Sequence, residues 1–111
     1  MSLRVVYTDD FPADIATQAR WYALQRDEAL ALEYAQAVES TLELLAEHPH
    51  LGSLCRYVEP QLAGLRFYPV AKPFHRHLIY YRTSGDELTA FRVVPGVRDL
   101  PRRLLDPPGA E

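Results

Sequence analysis

Between residues 11 and 47 apolar side chains recur every three or four positions, whereas beyond residue 63 they come in short, β-rich runs separated by turn residues. The first pattern predicts helix and the second predicts strand. Phe11, Ile15, Ala19, Tyr22 and Ala23 form one stripe that should end near Arg26. Asp9 or Asp10 can cap its start, and Pro12 falls in the first turn, where a missing backbone N–H costs nothing. Asp27 fits as the cap of a second helix, in which Leu30, Tyr34, Val38, Thr41 and Leu45 step along one side and Glu33, Glu39, Glu43 and Glu47 lie largely on the other. Pro49 and Gly52 terminate it, because proline disfavours helix in the residue before it and lacks a donor.

LRVVYT (3–8) reads as a strand ahead of the helices, and GLRFYPV, RHLIYYRT and ELTAFRVV read as strands after them, the last two joined by the turn SGDE (84–87). The order β-α-α-β-β-β describes an α+β domain: a two-helix hairpin packed on a mainly antiparallel four-stranded sheet. A single domain over residues 1–111 is expected, with 106–111 as a loose tail. Alternation along the strands places Leu65, Phe67, Phe91 and Val93 toward the helices and Arg66, Tyr68, Ala90 and Arg92 away from them. Arg76, Tyr80 and Arg82 share one parity in the middle strand and are assigned to the outer side as well. The outer face therefore reads Arg66, Tyr68, Arg76, Tyr80, Arg82 and Arg92, with Arg98, Arg102 and Arg103 following the last strand.

Charge sharpens that picture. The net charge is −3, but residues 1–63 carry −6 and residues 64–105 carry +5, so the cations belong to the strand-rich half. Arginines from three strands with tyrosines between them suit an anion or a partner protein, although charges on an open sheet face also serve solubility and edge protection. Tyr and Leu on such a face imply that it is partly covered. Cys55 is the one cysteine, which excludes an intrachain disulfide. Neither a signal peptide nor an apolar run near the ~20 residues of a membrane span is evident, so a cytoplasmic protein is expected. His75 and His77 could face the same way, but no third ligand accompanies them, and Cys55 beside Arg56 has no base. Neither a metal nor a cofactor is expected, and Trp21–Tyr22 reads as core packing.

ARWYALQ, ALEYAQAVESTLELLAEHPHLG, LAGLRFYPV, HLIYYR and RVVPGVRDL, in this order over residues 3–105, resemble the ParE branch of the RelE/ParE toxins of bacterial type II toxin–antitoxin systems. The resemblance implies the same strand, helix hairpin and three antiparallel strands. It also implies a cognate antitoxin that is acidic in its toxin-binding segment, a toxin–antitoxin hetero-oligomer, and DNA gyrase as the target. RelE-like members instead cleave mRNA on the ribosome with basic side chains on the sheet, a role that would here fall to Arg66, Arg76, Arg82 and Arg98. Gly96-Val97-Arg98 matches the family's Gly-x-Arg, so Arg98 carries over. Arg66 stands alone where RelE-like members have paired lysines, Arg76 and His77 are out of register with the next basic position, and no tyrosine follows Arg98. A nuclease must move the 2′-hydroxyl proton and stabilise a pentacoordinate phosphate, and these cations come without an acid–base pair. The resemblance thus favours a gyrase inhibitor that is not an enzyme, with a non-toxic antitoxin binder as a further alternative. Pro95 stands where many relatives have histidine, which removes a side chain that could titrate.

Overall fold

The computed structural model describes residues 2–96 and 100–108. Strand β1 (Arg4–Tyr7) leads into helices α1 (Asp10–Gln25) and α2 (Glu28–Glu47). Strands β2 (Ser53–Leu54), β3 (Arg66–Pro69), β4 (His77–Ser84) and β5 (Glu87–Pro95) follow, then a short helix α3 (Leu100–Leu105). The sheet order is β1-β5-β4-β3-β2, with β1 parallel to β5 and every other pair antiparallel. Five strands thus replace the four expected. The extra one, β2, is two residues long, too short to show any alternation in sequence.

The helices start and stop for the reasons their sequence suggests. The Asp27 carboxylate accepts from the Leu30 N–H at 2.8 Å, satisfying one of the free donors of α2. Asp9 precedes α1 but makes no side-chain cap bond, so the expected cap is absent there. Tyr34, Val38 and Leu45 on α2 meet Phe11 on α1 and Ile79, Tyr81, Leu88, Ala90 and Val93 on the sheet in one buried cluster. Each fully buried side chain of this size contributes about 1.5–3 kcal/mol over its exposed state. Thr41, the polar member of the α2 stripe, is satisfied by bonding the Ala37 carbonyl at 2.7 Å and accepting from the Ala71 N–H at 3.1 Å. Gly85, at φ +59° in the turn between β4 and β5, takes a conformation that other residues rarely adopt.

A second cluster lies on the other side of the sheet, where Leu62, Leu65, Tyr80, Val94 and Leu104 are buried with Phe67, Leu78 and Phe91 against them. The side expected to be open is therefore partly covered by the chain itself: a 3₁₀ turn (Pro60–Leu62) and α3 lie over it. Leu65, Phe67 and Phe91 belong to this second cluster and Ala90 to the first, the reverse of the expected parity. The cause in β5 is a bulge. Tyr80 pairs with Arg92 but Tyr81 pairs with Ala90, which leaves Phe91 as an extra residue and breaks the two-residue alternation. Val93 keeps the expected helix side, and Tyr80 the side away from the helices.

Candidate functional site

Cα partners across a sheet present their side chains to the same face. Arg66 pairs with Tyr81 and Tyr68 with Ile79, and both partners belong to the helix-side core. Arg66 and Tyr68 therefore lie on the helix side, not the outer one. Tyr80 and Arg82 are on the far side, yet Tyr80 is only 1% exposed beneath the chain's own covering segment. Burial pushes its phenol pKa up, so it stays an uncharged hydroxyl. Arg76 is exposed just ahead of β4. Arg82 lies six positions after Arg76 along extended chain, a span of about 20 Å at the usual rise. Arg98 lies outside the described residues, and of Arg102 and Arg103 only the backbone is described, as part of α3.

The arginines of β3, β4 and β5 share a different property: each donates to a main-chain carbonyl of a neighbouring segment. Arg66 Nη1 bonds the Gly52 carbonyl at 2.8 Å. Arg82 bonds Ala63 at 2.8 Å and Gln61 at 3.1 Å, with its guanidinium 5.3 Å from the Phe91 ring centroid. Arg92 Nη1 bonds Leu104 at 3.0 Å and also Asp106. They staple three loop segments to the sheet, using donors that a partner would otherwise meet.

Arg92 is the most deeply committed, at 3% exposure. Its Nε and Nη2 meet the two Asp14 carboxylate oxygens at 2.7 and 2.8 Å, the fork-to-fork geometry that only arginine offers. The Asp14 hydrogen bond raises the guanidinium pKa, outweighing the opposite pull of burial. Asp14 also accepts from the Val93 N–H at 3.1 Å. Strand β1 stops opposite Ala90, so this α1 carboxylate supplies the acceptor that a longer β1 would have provided.

Beside this pair runs a groove of about 510 Å³ lined by Thr17, Trp21 and Tyr22 of α1, Arg76 and His77 of β4 and its approach, and the end of β5. Trp21 is 55% exposed at the groove, not in the core, whereas Tyr22 packs inward. His75 is exposed and His77 buried, so the two imidazoles do not share a surface. His77 Nε2 and the Tyr22 hydroxyl lie 3.0 Å apart, and the His77 and Tyr34 rings are 5.1 Å apart between centroids. Burial holds the imidazole below its ordinary pKa, so the folded state favours the neutral ring. On unfolding the ring regains a value near 6.5, and its contribution to stability is complete above that pH and lost as pH falls below it. Urea unfolding between pH 7 and 5 should therefore show a shallower loss of stability for His77→Gln than for the parent chain; equal slopes would refute the assignment.

Sequence reasoning missed Asp14. Its spacing carried a signal: three residues after Phe11 and one before Ile15, it lies on the margin of the apolar stripe, where an acid needs a partner. With this geometry in hand, comparison with known proteins adds a family and a fold. A family model described as ParE toxin of type II toxin-antitoxin system, parDE, matches residues 5–100. Among solved structures, a chain of the chromosomal ParDE TA system from P. aeruginosa superposes with a TM-score of 0.70 at 17% identity, covering 86% of this chain and 98% of that one. No curated protein matches the chain.

Proposed function

Because the chain belongs to the ParE toxin family of type II toxin–antitoxin systems, we propose that it inhibits DNA gyrase by protein–protein contact and is neutralised by a cognate antitoxin. The observation that carries this over ribosome-dependent mRNA cleavage is the dispersal of the arginines. Arg66 lies on the helix side of the sheet, Arg82 on the far side and Arg76 at the other end of β4, and Arg66 and Arg82 are bonded to main-chain carbonyls. Cations so placed do not converge on one scissile phosphate, and phosphoryl chemistry needs them to converge. Contact with a partner requires no such convergence.

The antitoxin's docking ground is the groove along α1. Trp21 supplies an exposed aromatic anchor there, and Arg76 has no ion-pair partner among the described residues, so an acidic antitoxin segment fits both. Produced without the antitoxin, the chain should arrest growth with filamentation and DNA-damage signalling. Purified, it should block supercoiling by gyrase while in-vitro translation runs at its uninhibited rate. Arrested translation with intact DNA would sink the gyrase reading.

A further inference from the structure

A six-residue helix does not hold itself together in water, so α3 depends on what it is tied to. Two ties are visible. Leu104 is buried in the second cluster, and Arg92 reaches the carbonyls of Leu104 and Asp106 at the end of the helix. Those carbonyls belong to the turn that an α-helix leaves without internal donors, and a cation there also meets the negative end of the helix dipole. Arg92 thus caps α3 from the sheet, while its other two nitrogens are held by Asp14 of α1. One guanidinium joins α1, β5 and α3. The family match ends at residue 100, where α3 begins.

We propose that Arg92 is a positioning residue. With Asp14 it fixes α3 against the sheet, so that inhibition of the target depends on a side chain the target never touches. At 3% exposure Arg92 has almost no surface to offer a partner. The functional half of this inference rests on the proposed inhibition of gyrase and takes α3 as part of the inhibiting surface; the anchoring half rests on neither.

Two variants separate anchoring from general stability. Arg92→Lys keeps a charge facing Asp14, but a single ammonium cannot span the carboxylate and both carbonyls. The double substitution Asp14→Leu with Arg92→Met removes the pair without leaving a charge behind. In each, backbone amides of residues 102–106 should exchange about 100-fold faster while those of α2 and β4 keep their protection, the signature of local opening. Inhibition of purified gyrase should weaken about tenfold or more, as expected when an interface loses a main contributor. Leu104→Ala, which weakens the other tie of α3 in the full chain, should cause a similar loss, and combining it with Arg92→Lys should add little, because coupled changes are not additive. Unchanged exchange at 102–106 would overturn the anchoring, as would equal loosening of α2 in both variants. Faster exchange with undiminished inhibition would overturn the functional role. A parent chain that leaves gyrase untouched refutes the target reading and the functional half together, and amide exchange still decides the anchoring.

Discussion

Replacing Asp14 by alanine should cost the fold about 3–5 kcal/mol, the usual penalty for removing one partner of a buried ion pair. Arg92 cannot shed its proton, so the variant would hold a charged guanidinium at 3% exposure with only two carbonyls facing it. The Val93 N–H would lose its acceptor in the same stroke. Domains of this size are stable by roughly 5–15 kcal/mol, so such a loss takes a large share of the total. Urea unfolding at neutral pH measures it directly. Replacing both partners by apolar residues should recover most of the loss, because no bare charge remains. A cost below about 1 kcal/mol for Asp14→Ala would mean that the pair is not the buried hub described above.

The second large effect is expected at Gly52, where alanine should cost about 2–4 kcal/mol. A methyl group at that position would sit 2.4 Å from the Tyr81 hydroxyl and 2.7 Å from its ring edge. Tyr81 cannot yield readily: its side chain is fully buried, its hydroxyl donates to the Pro49 carbonyl at 2.7 Å, and it accepts from the Gly52 N–H at 2.9 Å. The Gly52 carbonyl in turn receives Arg66. Gly52 is thus required for space, not for an unusual backbone angle, and a larger residue pushes apart the loop, β3 and β4 together. The double variant Gly52→Ala with Tyr81→Phe tests this, since loss of the hydroxyl relieves the closest contact. If the two changes simply add, the steric account is wrong.

Helices and long strands were legible in the sequence because each carries its own periodicity. The α2 stripe and its Asp27 cap lie where the spacing put them. The faces of the sheet were less legible. A bulge at Phe91 inserts one residue into β5 and inverts the parity upstream of it, and no local composition announces such an insertion. Strand β3 was inverted for another reason: its apolar members Leu65 and Phe67 pack under the turn around Leu62, a second core that a two-layer reading does not contain. The arginines were located but misjudged. Their acceptors are main-chain carbonyls at Gly52, Gln61, Ala63 and Leu104, and a carbonyl looks the same in every sequence. Only Asp14 could have been suspected, as an acid on an apolar margin.

The parallel pairing of β1 with β5 ties residues 4–7 to residues 87–90, and the Asp14–Arg92 pair closes over nearly the same interval. Contacts this far apart in sequence form late and are costly to close. During synthesis, therefore, the helix hairpin emerges with its apolar stripe but without the sheet that buries it. The sheet cannot be completed until residues 87–95 have been made. A nascent chain cut short before that point has no finished fold to deliver, so neither the complete sheet nor the Asp14–Arg92 pair can exist until β5 has left the ribosome.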